Sequence, residues 1–260
     1  MEQSEHTFAL TLSYIGTAFH GFARQDDDVQ TVQGALEAAL ATVFAQPVWT
    51  VGAGRTDAGV HALGQVVSFS LPDEVLNGRD LARLCRSLNA LTPDDMAIRS
   101  LAPKPAGFSA RFSAVEREYR YRIVAGDTPP LFTAPFVWWL PGRPWLDYNL
   151  LRAAAEHLVG EHDFQSFCVS ASSIDKNTVR TVKSISIFGV DHLGEPCTVV
   201  QVIGNAFLHS MVRIIVGSLA EVGLGRRPPA WLGEALEAQD RRAAGPTAPA
   251  QGLTLWRVRY

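Results

Sequence analysis

The chain has 260 residues, of which 47% are hydrophobic and 19% charged, and its formal net charge is −3. These values are typical of one large globular domain or two fused small ones, and the charge argues against a generally basic nucleic-acid binder while leaving local positive patches open. Because no apolar run reaches the ~18 residues of a membrane span and no signal-peptide pattern is present, we expect a cytoplasmic protein that does not contact a membrane. The three cysteines lack C-x-x-C pairing, which favours buried free thiols over disulfides or a zinc site: Cys85, Cys168 and Cys197.

The first part of the chain alternates strand and helix patterns. In chain order these patterns predict a strand at 8–14, a helix at 31–47, a strand at 65–71, a helix at 80–91 and a strand at 96–102. Thr31 is a plausible N-cap of the first helix. The proline- and glycine-containing segment 103–107 predicts a boundary between two halves, 1–104 and 105–260.

The second part repeats the alternation. The patterns predict a strand at 118–124, a helix at 149–159, paired strands at 182–188 and 197–203, helices at 209–224 and 230–239, and a closing strand at 253–260. The segment 160–167 fits a helix C-cap followed by a loop with Phe164 and Phe167 in the core, and 241–252 is predicted to be a surface loop. Strands that alternate with helices twice predict an α/β fold of two halves, which could share one sheet.

The stretch GAGRTDAGVHA (52–62) combines glycines with chemically active side chains. Glycine permits positive φ and close approach of another chain. Arg55 and Asp57 are two residues apart, so they point to the same side of an extended backbone. Two interpretations remain open: an ordinary turn with a local Arg55–Asp57 pair, or a functional carboxylate. His61 would join Asp57 in a metal site only on a helix, and the glycines argue against a helix.

Arg213 is the single formally charged residue between Glu195 and Glu221, within a segment that is apolar on nearly all helical faces. Such a helix is buried. A buried arginine without a carboxylate is costly, since breaking a buried pair costs ~3–5 kcal/mol. Arg213 therefore needs an acid from elsewhere, and Asp57 is one candidate. The alternative is an arginine that reaches solvent at the helix edge.

The segment 108–124 interleaves arginines with aromatic residues. In a strand, Tyr119 and Tyr121 share one face while Arg120 and Arg122 share the other. This composition suits stacking on bases and contact with phosphates, but core tyrosines in an amphipathic strand are the alternative. His162 and His209 lack partners at metal-ligand spacing, so no metal is predicted.

Several ordered motifs resemble those of the tRNA pseudouridine synthase A family. The strongest is GRTDAGVHA (54–62), and the resemblance extends over nearly the whole chain. It also includes YIGTAFHGFARQ (14–25), VQGALEAAL (32–40), ARFSA (110–114), REYRYRI (117–123), GEHDFQSF (160–167), NAFLHSMVRIIVGSL (205–219) and GLTL (252–255). One departure is Ile214, where the family pattern often has asparagine, which puts a helix-edge hydrogen bond in doubt.

The resemblance implies isomerisation of uridine to pseudouridine at positions 38 to 40 of the tRNA anticodon stem-loop, without a cofactor. It implies that Asp57 is the catalytic nucleophile, that Tyr119 stacks beside the uracil and that Arg213 pairs with Asp57. Arg55 would help to displace the target base. The implied fold has two ferredoxin-like halves that share a central, mainly antiparallel sheet flanked by helices, with a positively charged RNA cleft in a homodimer.

Three hypotheses follow from these observations. The leading one is the synthase. The second is a non-catalytic tRNA-binding module in which Asp57 only pins its own loop through Arg55. The third is a metal-dependent hydrolase that uses Asp57 and His61. Glycosidases of the usual kind need two carboxylates, and one carboxylate in the motif disfavours hydrolysis.

Overall fold

The computed structural model describes residues 5–26, 28–76, 78–142, 145–169 and 177–260. Within these ranges the strands are β1 (Glu5–Tyr14), β2 (Val51–Gly52), β3 (His61–Pro72), β4 (Met96–Lys104), β5 (Glu116–Ala125), β6 (Trp138–Leu140), β7 (Gly160–Asp163), β8 (Val179–His192), β9 (Glu195–Gly204) and β10 (Leu253–Arg259). The helices are α1 (Val32–Phe44), α2 (Asp73–Leu76), α3 (Leu81–Leu91), α4 (Tyr148–Glu156), α5 (Met211–Gly223) and α6 (Trp231–Glu237). Across the described ranges, no helix has both the length and the apolarity to cross a bilayer.

The chain divides into two compact units, and the first comprises the residues up to Val115 together with Leu255–Tyr260. Its strand order is β4-β1-β3-β10, and β2 pairs with β3. β1 pairs in antiparallel fashion with β3 and β4. Leu10 of β1, Leu36 of α1 and Leu88 of α3 are fully buried, so the core lies between this sheet and its helices.

The second unit comprises Glu116–Thr254. Its strand order is β5-β9-β8-β7, with antiparallel pairs throughout this path, while β6 pairs with β5 in parallel. α5 contacts α4, and its apolar side chains are buried on nearly all sides, as its composition predicted. The predicted mixed α/β class, with a mainly antiparallel sheet flanked by helices, is confirmed.

The boundary between the two units lies between Val115 and Glu116, whereas the sequence predicted it at residue 104. Residues 105–115 belong to the first unit because Ala110 N donates to Ser68 Oγ (2.9 Å) and Val115 N donates to Arg259 O (2.9 Å). Tyr260 Oη also donates to Ala110 O at 2.9 Å. The end of the chain thus returns to the first unit, a long-range contact that local composition does not reveal.

All helices except the short α2, which was not predicted, and all long strands lie where the periodicity predicted them. Thr31 caps α1 by accepting from Gly34 N at 3.2 Å. Two local predictions need correction. The segment 160–167 forms β7 and a short 3-10 turn instead of a helix C-cap and loop, although Phe164 and Phe167 are buried as expected. The predicted surface loop 241–252 is partly in the core, since Ala248 is 1% exposed and Ser218 Oγ accepts from Gly245 N at 2.8 Å.

The three cysteines are free thiols, as predicted. Cys168 and Cys197 are buried, whereas Cys85 on α3 is only half-buried. The expectation of burial was therefore wrong for Cys85, which lies beside the buried stripe of its helix formed by Leu84 and Leu88.

Candidate active site

Asp57 lies in an irregular loop between β2 and β3. Val60 N donates to Asp57 O (3.1 Å), which closes a four-residue turn with Asp57 in first position. Gly59 is the third residue of this turn and has φ +78°, the left-handed backbone that glycine adopts without strain at this position of a type II turn. The turn leaves the Asp57 side chain half-buried.

The residue before Asp57 fixes the loop to the core. Thr56 is 7% exposed, and its Oγ1 lies 2.8 Å from Tyr14 Oη at the end of β1. Gln65 of β3 donates from Nε2 to Gly54 O at 2.8 Å. Burial raises the pKa of Tyr14 to about 12, so this hydroxyl stays protonated at neutral pH. Buried side chains therefore hold the backbone on the N-terminal side of Asp57.

The segment after β1 holds the other side of the loop. Phe22 N donates to Thr56 O at 3.0 Å. A Cβ on Gly16 would lie 2.0 Å from Val60 O, and one on Gly21 would lie 3.1 Å from Thr56 O. Because only glycine permits such close approach, the pattern YIGTAFHG has a structural reason in the loop that it supports.

His61 is part of this support. Its side chain is 3% exposed, and Nδ1 accepts from Gly16 N at 3.0 Å. Among the residues in the described ranges, no group of three or more His, Cys, Asp or Glu side chains is placed to hold a metal ion. The structure thus gives His61 a scaffold role and offers nothing in favour of the metal-hydrolase hypothesis.

Arg55 is solvent-exposed. It directly precedes the buried Thr56, and Asp57 directly follows it. Its guanidinium forms no ion pair with any residue that the structure describes. The local Arg55–Asp57 pair, which was the ordinary-turn interpretation of this motif, is therefore absent from the described residues.

Tyr119 lies on β5 in the second unit, opposite Val202 of β9. It is 7% exposed, and its ring meets that of Phe207 edge-on with centroids 5.2 Å apart. Tyr121 shares this face, is fully buried and donates to Pro249 O at 2.7 Å. The predicted shared face of the two tyrosines is confirmed, and both side chains are buried in the absence of RNA.

The arginines on the other face of β5 are engaged within the protein. Arg120 forms an ion pair with Glu118 (2.8 Å), whose side chain is 1% exposed, and Gln201 donates to the same carboxylate at 2.6 Å. Arg122 donates to Thr254 Oγ1 at 3.3 Å. Phosphate contact by these two arginines, one reading of the interleaved pattern, finds no support in these contacts.

Arg213 projects from the first turn of α5 and is half-buried. Its Nε donates to Ala248 O at 2.8 Å, and Ala248 N donates back to Arg213 O at 3.1 Å. Its positive charge acts on Tyr121: burial raises the pKa of that phenol strongly, and Arg213 opposes the rise. Arg213 and Tyr121 thus donate to the adjacent carbonyls of Ala248 and Pro249.

Ile214 is fully buried, and its N–H donates to Ser210 O at 3.0 Å. The Ile214 side chain therefore belongs to the core of the second unit and supplies no hydrogen bond at the helix edge. An asparagine here would bury an amide that needs partners.

Sequence reasoning did not single out the supporting residues. Tyr14, Gln65 and Phe207 read as ordinary strand or loop residues, since nothing local shows that their partners lie elsewhere in the chain. Alternation on β1 and β3 marks Tyr14 and Gln65 as inward-facing, and a buried polar group needs a partner, which was the available signal.

Comparison with known proteins places these motifs in a family. The family model described as tRNA pseudouridine synthase matches residues 11–113 and 154–260. The tRNA pseudouridine synthase A of Brevibacillus brevis is 46% identical over 96% of this chain and 97% of that protein. The protein of the same name from Thermotoga neapolitana is 40% identical over 97% and 98%, and that from Pseudomonas aeruginosa is 44% identical over 97% and 85%.

The matched ranges include both the Asp57 loop and the helix that carries Arg213, and they cover well over half of the chain. The relatives match along almost their whole length, so the likeness is not confined to one motif. The chain belongs to the tRNA pseudouridine synthase family, a family of isomerases.

Proposed function

We propose that this protein isomerises uridine to pseudouridine at positions 38 to 40 of the tRNA anticodon stem-loop, with Asp57 as the nucleophile and without a cofactor. The observation that carries the proposal is the half-buried Asp57 on a turn whose neighbours are fixed by buried groups on both sides. A carboxylate held in this way needs little reorganisation when it reacts.

The reaction fits a single carboxylate. The bond from ribose C1′ to uracil N1 breaks, the uracil turns, and a bond from C1′ to C5 forms while the C5 hydrogen leaves as a proton and N1 gains one. Neither oxidation nor hydrolysis occurs, so no electron acceptor and no hydrolytic water is needed. Asp57 serves this chemistry by attacking C1′ or by assisting elimination to a glycal, and both routes require the ionised form.

Arg213 is the proposed cationic partner of Asp57. An opposite charge favours the ionised carboxylate in a water-poor site. The bond from Arg213 Nε to Ala248 O supports this role, because it sets the orientation of the guanidinium before substrate binds. Arg213 would therefore act on the reacting carboxylate without spending energy on side-chain ordering.

Tyr119 and Arg55 are proposed to handle the target base. Extruding a base from its stack costs a few kcal/mol, and stacking on an aromatic ring returns ~1–3 kcal/mol. Tyr119 is held edge-on by Phe207, which fixes its ring plane. The exposed Arg55 beside the loop suits a group that displaces the base from the RNA stack.

Tritium release tests the function. The substrate is a tRNA transcript that carries tritium at uridine C5, compared with a transcript in which positions 38 to 40 are cytidine. We expect release from the first alone, unchanged by a chelator. No release from the first, or equal release from both, would contradict the proposal.

We further propose that the protein acts as a homodimer in the cytoplasm. Three free thiols suit a reducing compartment. Light scattering on the purified protein is expected to give twice the chain mass of 28.3 kDa. A mass of one chain at micromolar concentration would contradict the dimer.

A further inference from the structure

An exposed tryptophan precedes the strand that leads into the Asp57 loop. Trp49 is 70% exposed, while its neighbours Val48 and Thr50 are buried at 4% and 7%. Most of a large aromatic surface thus faces solvent on a segment whose backbone is fixed in the core of the first unit. Nothing in the proposed chemistry at Asp57 uses this side chain.

Arg24 covers part of the Trp49 ring. Its guanidinium carbon lies 5.5 Å from the ring centroid, within the range of a cation–π contact. Arg24 Nη1 also lies 3.2 Å from Glu37 Oε2, and the Glu37 side chain is only 6% exposed. We call this pair of side chains the Trp49–Arg24 platform.

Glu37 connects both members of the platform. Its Oε1 accepts from Thr50 N and from Thr50 Oγ1, each at 2.9 Å, so it fixes the residue next to Trp49. Its Oε2 fixes Arg24. A buried carboxylate with this set of donors holds the platform in one arrangement before any ligand binds.

The platform adjoins the Asp57 loop through both of its segments. Trp49 continues into β2 and on to Gly54, while Arg24 follows Phe22, whose N–H donates to Thr56 O at 3.0 Å. The Phe22 ring also packs on β2, since a Cβ on Gly52 would lie 2.4 Å from its Cε1. Both segments that carry the platform thus connect directly to the backbone around Asp57.

The chemistry of the platform selects a flat, neutral group. The charge of Arg24 is offset by Glu37, and the exposed Asp26 and Asp28 that follow in sequence repel phosphate. An indole surface backed by a guanidinium plane stacks on nucleobases whatever their sequence. We propose that the Trp49–Arg24 platform binds an unpaired base of the tRNA near the target uridine, by stacking and without a phosphate contact.

This inference rests on the proposed function for the identity of the RNA, and its test is binding. The dissociation constant of an anticodon stem-loop RNA is measured for wild type, Trp49→Ala, Trp49→Phe and Trp49→Leu. Trp145→Ala is the matched control, because Trp145 is 72% exposed in the second unit. Exposed positions are chosen so that every variant folds.

We expect Trp49→Ala to weaken binding about 5- to 150-fold, the range for loss of one base–aromatic stack. Trp49→Phe should stay within about threefold of wild type, Trp49→Leu should resemble the alanine variant, and Trp145→Ala should have no effect. The slope of log K against log salt should be the same for wild type and Trp49→Ala, because no phosphate contact is lost. A fully paired hairpin should show no penalty.

Binding by Trp49→Ala within twofold of wild type would overturn the proposal, as would an equal loss on the fully paired hairpin. A salt slope reduced in Trp49→Ala would identify a phosphate contact and would also overturn it. Tritium release by wild type separates the two proposals. Release without a Trp49 effect rejects the platform alone, and a Trp49 effect without release rejects the proposed isomerisation alone.

Discussion

The loop that carries Asp57 and the helix that carries Arg213 are held in contrasting ways. The loop has no regular structure, and its shape depends on contacts from Tyr14, Gln65 and Gly16. Arg213 lies on a helix of 13 residues whose apolar side chains are buried, and the backbone carbonyl of Ala248 helps to orient its guanidinium. We infer that changes around the loop lower the reaction rate as well as stability, whereas changes in the packing of α5 lower stability with little effect on the rate.

Arg213→Ala is expected to have the largest effect on the rate, and it departs from the comparison because Arg213 lies on the stable helix α5. Loss of a preorganised charge or donor costs about 10²- to 10³-fold in rate, and we expect a loss of this size in single-turnover tritium release. Arg213→Lys serves as the control, since it keeps the charge but loses the planar fork. A rate for Arg213→Ala within threefold of wild type would show that Asp57 needs no help from this residue.

Gly16→Ala tests the support of the loop. The new Cβ would lie 2.0 Å from Val60 O, so the turn at Asp57 must shift. A displacement of about 1 Å costs up to ~10²-fold in rate, and overpacking costs ~1–3 kcal/mol in the free energy of unfolding. Urea denaturation and tritium release measure the two effects on the same protein.

Gly223→Ala is the matched variant in α5. Its Cβ would approach side-chain atoms of Leu151 at 2.8 Å, and that side chain can move. We expect a change in stability and a rate within about threefold of wild type. Equal losses of rate in the two glycine variants would remove the contrast between loop and helix.

Tyr14→Phe is expected to have a smaller effect. It removes the hydroxyl that pairs with Thr56 Oγ1 and leaves a buried group without that partner. The cost is ~1–3 kcal/mol in the free energy of unfolding, with a rate loss of less than about tenfold. An unchanged denaturation midpoint would show that this hydrogen bond adds nothing to the loop.

Alkaline pH tests the same side chain through stability alone, with no effect expected on the rate at neutral pH. Burial raises the pKa of Tyr14 to about 12 in the folded protein, above its ordinary value of 10.0. The folded state then binds the proton more tightly, so its stabilisation is complete below pH 10 and is lost as the pH rises towards 12. The unfolding free energy of Tyr14→Phe should fall less steeply than that of wild type in this window, and parallel curves would contradict the assignment.

Local pattern was sufficient for the long elements of the fold. Alternation predicted β1 and β3, and helical periodicity predicted α5, since these patterns follow directly from burial of one face. The short strands β2, β6 and β7 were missed, because two to four residues carry too little periodicity. The return of β10 to the first unit was missed because local sequence does not tell which distant strands meet.

In the candidate site, too, the sequence revealed some residues and not others. Asp57 stood out because glycines surround a carboxylate, and Arg213 because it interrupts an apolar helix. Tyr14 and Glu37 did not stand out, since each acts through a partner far along the chain. Trp49 looked like an ordinary apolar residue, and its exposure became visible only in three dimensions.

The most direct test of the account is single-turnover tritium release by Asp57→Asn, measured together with its affinity for the anticodon stem-loop. The half-buried carboxylate is replaced by an isosteric amide, and the turn depends on the backbone carbonyl of residue 57, so the fold should persist. We predict a rate at least ~10⁴-fold below wild type and a dissociation constant within about threefold. Release that survives in Asp57→Asn would contradict the account and leave the loop as a binding element only.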